Sequence, residues 1–342
     1  MLRKSARFSF VLAALAMVAS ASSFAADGPI LLRVADHYPV SASTPEYTIK
    51  HFMEAVTKAT NGAVRFEYYP AEQLGKAKDL LSLTQQGVTD IGMVAPAYVS
   101  DKMPLSAVAE LPGSFTTSCQ GAEAYWKLAN GGIIGTRELH GNGIHPLFVF
   151  VLPPYQILTR AKFTGLADLK GLKLRSAGGA MDLTIHRLDA VAIRMGGADV
   201  YPALSRGTID GIVFPLSPVL EFKLQDYLKY GTIGENFGGF AVTYSISEKR
   251  WDGLPKEVQQ AMKEAGDETT RHACAMLDRD NGPAIDLLRK AGLQMSEMPA
   301  ADHASIHERL APVQAEWADA LEKRGLPGHE TLNAFLAAIS SP

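Results

Sequence analysis

The residue in this sequence best suited to recognising a ligand is Arg175. It ends the apolar run Leu172–Arg175 and precedes the pair Gly178-Gly179. A guanidinium is a permanently charged, planar fork that meets a carboxylate with two charge-assisted hydrogen bonds. Gly178 and Gly179 either offer backbone amides to the same anion, as a nest does, or form a plain turn. His37 follows the run Leu31–Asp36, as a hydrogen-bond donor to a ligand oxygen or as a surface-loop histidine. Ala95 and Tyr98 follow the run Asp90–Val94, and the Tyr98 hydroxyl is placed to reach a cleft beyond it. Glu72 lies in Tyr69-Pro70-Ala71-Glu72-Gln73-Leu74-Gly75, where Gln73 reads as structural and Glu72 as a ligand contact or a solvated side chain.

Other chemistries leave no signature. The sequence has no phosphate-cradling G-x-x-x-x-G-K-[ST] loop and no G-x-G-x-x-G opening a helix after a strand. It has no G-x-S-x-G elbow. His303 and His307 are four apart and share a helix face, with Glu308 beside them. Zinc enzymes put the glutamate between the histidines, and Ile306 fills the nearest such slot here, so a solvated face is expected and no metal. No cofactor is expected. These absences favour a binding protein over an enzyme, including a periplasmic hydrolase or lyase built on His37 and Glu72.

The elements that would position these residues follow a rhythm. Leu31–Asp36 reads as a strand. Ser43-Thr44-Pro45-Glu46 reads as a capped helix start continuing to Thr60, ended by Asn61-Gly62. Ala63–Tyr69 alternates as a strand, a helix opens at Leu74-Gly75, and Asp90–Val94 is a third strand. This β-α-β-α-β order implies a parallel, doubly wound sheet. It repeats through strands at 147–152, 172–175, 191–195 and 209–214, with helices at 180–188 and 199–205. Two such lobes hold ligands in the crevice beyond their strand ends. From Leu254 the pattern turns helical, and one stripe runs through Val258, Met262, Ala265, Thr269, Ala273 and Leu277 towards Lys290, long enough to brace both lobes. Further helices are expected at 304–323 and 330–339.

The 342 residues are 47% hydrophobic and 20% charged, with a formal charge of −3. That length suits two domains, and the balance points to no nucleic-acid partner. Arg3, Lys4 and Arg7, the apolar run Phe8–Val18 and Ser23-Phe24-Ala25 form the pattern of a secretory signal peptide over residues 1–25, cleaved near Ala25. The run is too short to span a bilayer. Its removal takes three cations and no anions, leaving −6 on an exported chain. Cys119 and Cys274 are free to pair in an oxidising compartment, or Cys274 is a small core residue.

Three stretches carry a resemblance: Asp168-Leu169-Lys170-Gly171-Leu172-Lys173-Leu174-Arg175, then Gly197-Ala198-Asp199-Val200-Tyr201-Pro202-Ala203-Leu204, then Gly207-Thr208-Ile209-Asp210-Gly211. With Tyr69–Gly75 and Leu111-Pro112, they resemble the solute-binding subunits of TRAP (tripartite ATP-independent periplasmic) transporters, the DctP type, from about Leu32 to Lys323. The resemblance implies an α/β, two-lobed periplasmic binding protein fold with a ligand cleft between the lobes and a long bracing helix. It divides the mature chain into lobe I (26–152 plus about 241–280) and lobe II (153–240 plus about 281–342). It implies a periplasmic monomer that captures an organic acid and delivers it to the small and large membrane subunits of an ion-gradient-driven permease. A binding protein of an ABC importer or a sensor system is the alternative. Arg175 falls where the family places its carboxylate-binding arginine.

The departures shape the expected ligand. Tyr155 stands where members binding large hydroxylated acids often carry a second arginine. Val213-Phe214-Pro215 replaces E-N-P, and Gly197 replaces an aromatic residue. One cation, with Tyr155 and Phe214, suits a monocarboxylate with an aromatic or partly apolar body.

Overall fold

The computed structural model describes residues 28–340. Among these, eleven strands run in chain order: β1 (Ile30–Ala35), β2 (Val64–Tyr69), β3 (Ile91–Val94), β4 (Ile144–Leu152), β5 (Gln156–Thr159), β6 (Lys173–Ser176), β7 (Val191–Arg194), β8 (Gly211–Phe214), β9 (Tyr230–Thr232), β10 (Phe240–Ser247) and β11 (Gln294–Ser296). They form two sheets, ordered β2-β1-β3-β10-β4 and β11-β9-β5-β8-β6-β7. Each sheet, with its helices, is one lobe. The expected signal peptide lies outside the described residues. No helix among the described residues is long and apolar enough to cross a membrane.

Both sheets are mixed rather than parallel as the rhythm implied. β1, β2 and β3 pair in parallel, as do β6, β7 and β8, but β10 is antiparallel to β3 and β4, and β5 to β8 and β9. β5 and β10 follow the two segments that cross between lobes, and each enters its sheet from the far side. All eight residues of β10 are buried, so it shows none of the alternation that marks a half-exposed strand.

Three helices differ from expectation. The Ser43–Thr60 helix is broken at Thr48 into Thr44–Tyr47 and Ile49–Ala59, and Ser43 makes no side-chain cap. Its hydroxyl instead donates to Glu221 across the molecule, at 2.7 Å. The helix expected from Leu74 starts with a turn at Ala77–Asp79 and continues as Leu80–Gln85. The stretch 304–323 is two helices, Ala300–Leu310 and Val313–Glu322, parted at Pro312, which has no N–H to continue the ladder.

Helix Lys256–Lys290 has the expected extent, 35 residues or about 50 Å. Its stripe from Val258 to Leu277 joins one hydrophobic core, while Ala284 and Leu288 join the core that holds Leu158 of β5, Ile212 and Phe214 of β8 and Met295 of β11. The helix therefore anchors in both lobes. Cys274 on this helix is disulfide-bonded to Cys119 on helix Ser118–Ala129. Beside the bridge, Asp278 accepts the Ser118 and Cys119 N–H groups at 2.6 and 3.0 Å, which satisfies two open donors of that helix's first turn. At the chain's end, helix Gly328–Ser340 packs on helix Ser118–Ala129 of the first lobe, so the chain does not finish on lobe II as the resemblance divided it. Its buried apolar residues Leu332 and Phe335 join the main hydrophobic core.

Two short crossings join the lobes beside the long helix. Pro153–Tyr155 links β4 to β5, and Ile233–Gly239 links β9 to β10. They bond to each other: the Tyr155 N–H donates to the Gly238 carbonyl at 2.9 Å and the Phe237 N–H to the Tyr155 carbonyl at 3.2 Å. Gly238 has φ +114°, and a Cβ there would lie 2.5 Å from the Glu110 carbonyl oxygen, so only glycine fits.

Candidate functional site

The motif ending at Arg175 is a device for delivering that side chain. The Thr164 N–H donates to Asp168, Gly171 turns through φ +76°, and the chain then enters β6. Asp210 grips the strand's start: its carboxylate accepts the Lys173 N–H at 2.8 Å and its own N–H donates to the Lys173 carbonyl at 2.8 Å. In β6, Leu174 points into the core and Arg175 to the opposite face. Arg175 is 1% exposed and is the one buried lysine or arginine among the described residues. Its Nε donates to the Met195 carbonyl at 3.2 Å and its Nη2 to the Tyr98 hydroxyl at 3.3 Å. Its Nη1 is buried with no hydrogen-bond partner in the protein.

Aromatic rings enclose this cation. The guanidinium carbon lies 4.9 Å from the Phe214 ring centroid. Tyr155 and Phe222 stand 6.1 and 6.2 Å from Phe214, centroid to centroid, and Phe240 is 5.2 Å from Tyr98 and 6.4 Å from Tyr155. The His37 ring is 5.8 Å from Tyr98 and 6.0 Å from Phe222. Burial pushes the Tyr98 and Tyr155 hydroxyls up, so both remain neutral. Burial first, and the Arg175 charge second, push the His37 imidazole down to about 3. His37 is thus a neutral donor and acceptor, and neither ring nitrogen has a hydrogen-bond partner in the protein.

His37 is placed by its neighbour Asp36, whose carboxylate accepts the Tyr38 N–H at 2.9 Å and the Tyr68 and Tyr244 hydroxyls at 2.9 and 2.6 Å. The Tyr69–Gly75 motif braces the same loop. Ala71 and Glu72 take left-handed conformations, and their N–H groups donate to the Tyr38 and Asp36 carbonyls at 2.9 and 3.0 Å. The Glu72 carboxylate is engaged locally, accepting the Ala77 N–H at 2.9 Å and pairing with Lys76 at 2.7 Å.

The lobes meet across this centre. The Tyr98 hydroxyl, carried by the turn after β3, accepts the Gly197 N–H of the other lobe at 3.1 Å. Ala95, 1% exposed, starts that turn and accepts the Tyr98 N–H at 3.0 Å. Gly178 has φ +109°, and a Cβ there would lie 2.6 Å from the Ala97 carbonyl oxygen, so only glycine fits where these two segments meet. Its N–H donates to the Ser176 hydroxyl at 2.9 Å, which removes it from the nest the sequence suggested. At the rim, Glu221 accepts the Ser43 hydroxyl and the Thr44 N–H and hydroxyl at 2.7, 3.1 and 3.0 Å, and Lys76 lies 3.7 Å from Asp199. Two surface grooves flank the centre. One of about 460 Å3 passes Tyr98, Met195 and Glu72, and one of about 530 Å3 passes His37, Phe222 and Tyr201.

Sequence reasoning missed Tyr38, Glu110, Phe222 and Phe240. A Cβ on Gly197 would stand 3.2 Å from the Phe222 ring, so Phe222 fills the space left by the aromatic residue absent at 197. Glu110 is 2% exposed, its Oε2 is unpartnered, and a Cβ on Gly179 would lie 3.4 Å from that oxygen. Burial pushes the Glu110 carboxyl up to about 8. It is therefore a neutral donor near neutral pH, where a carboxylate would repel a bound anion.

Residues 36–320 match the family of bacterial extracellular solute-binding proteins, family 7, named DctP. The chain belongs to this family, whose members are solute-binding proteins of TRAP transporters and work with membrane permease subunits. It is 30% identical over 298 residues to the C4-dicarboxylate-binding periplasmic protein DctP of Rhodobacter capsulatus, covering 84% of this chain and 85% of that one. It is similar to a marine-metagenome TRAP solute-binding protein described as specific for aromatic acids and solved with metahydroxyphenylacetate. There the TM-score is 0.84 at 25% identity, over 91% of this chain and 98% of that one. A Rhodoferax ferrireducens TRAP solute-binding protein, solved with copurified benzoate, shares the fold with TM-score 0.85 at 23% identity, over 91% and 98% of the chains.

Proposed function

We propose that this protein captures an aromatic monocarboxylate in the periplasm and delivers it to the small and large membrane subunits of a TRAP transporter, acting as a monomer without catalysis. Arg175 takes the carboxylate through Nη1 and the free edge of Nη2. Tyr155, Phe214 and Phe222 flank the ring, and His37, Tyr98 and neutral Glu110 supply hydrogen bonds to its polar atoms. Ala95, Gly178, Gly197 and Glu72 position these groups through the backbone contacts they make. An N-terminal signal peptide over residues 1–25, cleaved near Ala25, exports the chain.

The observation that carries this reading is a single buried cation with an unpartnered Nη1 set among aromatic rings. One carboxylate neutralises one guanidinium. A second carboxylate would be buried without a cation, at a cost of several kcal/mol. The relative with 3-hydroxyphenylacetate supports the aromatic class, whereas the name of the Rhodobacter relative points to C4-dicarboxylates. A thermal-shift panel separates them. Benzoate, mandelate and 3-hydroxyphenylacetate are expected to raise the melting temperature, and succinate and galacturonate to leave it unchanged. Stabilisation by succinate alone would overturn the aromatic reading.

A further inference from the structure

His303 and His307 lie one turn apart on helix Ala300–Leu310, with ring centroids 4.4 Å apart. The sequence places no carboxylate between them. The fold supplies one from 68 residues away: Glu235, on the segment crossing from β9 to β10, whose Oε1 is 2.8 Å from His303 Nδ1. One ligand atom from each of the three residues lies within 4.8 Å of the others.

Glu235 is not an ordinary surface carboxylate. Its side chain is 1% exposed, while that of His303 is 48% exposed. Its Oε2 is buried with no hydrogen-bond partner in the protein. A buried carboxyl oxygen left so is costly unless a donor or a cation meets it. The backbone is held to suit: Gln156 Nε2 donates to the Glu235 carbonyl at 2.5 Å, and the Gln156 Oε1 accepts the Thr232 hydroxyl at 2.8 Å. A neighbouring cavity of about 200 Å3, passing Pro112, Asn236, His307 and Gln314, leads to the group from solvent.

Two imidazoles at i and i+4 with one carboxylate is a ligand set suited to zinc, with water as fourth ligand. Tetrahedral zinc wants ligand atoms about 3.4 Å apart. The exposed rings of His303 and His307 need only turn inwards about the fixed carboxylate, exchanging the His303–Glu235 hydrogen bond for two metal bonds.

We propose that Glu235, His303 and His307 form a zinc site that clips helix Ala300–Leu310 of the second lobe to the crossing segment. The site is separate from the Arg175 centre and independent of the ligand assigned there. Because Glu235 lies three residues before Gly238, bound metal would tie helix Ala300–Leu310 to the segment that crosses between the lobes.

A second grouping, His51, Glu268 and His272, gives an internal control: its rings stack at 3.9 Å, but its carboxylate is 49% exposed to solvent, where the Glu235 side chain is 1% exposed. The purified protein, stripped with chelator, is titrated calorimetrically with zinc chloride alone. One zinc per chain is expected, bound at least tenfold more weakly by E235Q and by H307A and unchanged in H272A. Zinc is also expected to raise the melting temperature of the wild type and of H272A but not of an H303A/H307A double variant. E235Q keeps size and hydrogen bonding and H307A alters an exposed ring, so far-UV circular dichroism of both should match the wild type. Absence of zinc binding, or binding that survives H303A/H307A and is lost in H272A, overturns the proposal.

Discussion

Replacing Arg175 with lysine keeps the charge and removes the fork. In the structure Nε is committed to the Met195 carbonyl and Nη2 shares the Tyr98 hydroxyl, leaving Nη1 and the remaining edge of Nη2 for a ligand. A carboxylate there takes two charge-assisted bonds, each worth about 1.5–3 kcal/mol. Lysine reaches the site with one such bond and loses the planar contact with Phe214, so about 1.5–3 kcal/mol of binding is expected to vanish. At 1.4 kcal/mol per decade this is roughly a ten- to hundredfold rise in Kd. Isothermal titration with benzoate or 3-hydroxyphenylacetate reads it directly. The unliganded melting temperature is the internal control, because among the described residues Arg175 forms no salt bridge and lysine keeps its charge, so the substitution breaks no ion pair. Undiminished affinity in Arg175→Lys would refute the role given to the fork.

Four further outcomes follow. Ligand affinity is expected to fall as pH rises through about 8, where Glu110 ionises beside the bound anion, and Glu110→Gln is expected to abolish that dependence in the same titration. Glu110, raised from 4.5 to about 8, adds stability that is full below 4.5 and gone above 8; His37, lowered from 6.5 to about 3, adds stability that is full above 6.5 and gone below 3. Each contribution is read by difference from the wild type: chemical denaturation of Glu110→Gln should show a shallower decline as pH rises from about 4.5 to 8, and that of His37→Gln a shallower decline as pH falls from about 6.5 to 3. Glu221→Gln weakens three bonds across the cleft rim and is expected to raise Kd several-fold while widening the protein in small-angle scattering. The disulfide closes a loop with a sequence separation of 155, worth about 5 kcal/mol on a chain-entropy basis, so reductant should lower the melting temperature by several degrees while a Cys119→Ala/Cys274→Ala variant no longer responds.

What the sequence disclosed follows from where each signal is local. Strands ending in Asp36, Val94 and Arg175, and the stripe of helix Lys256–Lys290, are set by near neighbours and were legible to within a few residues. Arg175 was legible because a charged residue ending an apolar strand is itself unusual. β10 was not, since burial on both faces erases its alternation, and the reversed direction of β5 and β10 depends on lobe crossings that no local pattern encodes. The Ser43 cap failed for a similar reason: a hydroxyl suited to its own helix was taken by Glu221, 178 residues away. Tyr38, Glu110, Phe222 and Phe240 look like ordinary core residues in sequence and become candidate site residues only when the lobes close on Arg175. Glu235 shows the same limit, because only the crossing segment brings its carboxylate to the two histidines.

The central claim is best tested by a crystal structure of the protein with 3-hydroxyphenylacetate. The expected result places the carboxylate on Arg175 Nη1 and Nη2, the ring among Tyr155, Phe214 and Phe222, and an oxygen within hydrogen-bond reach of His37 or Glu110. A carboxylate bound away from Arg175, or a cleft that admits only a dicarboxylate, would contradict it.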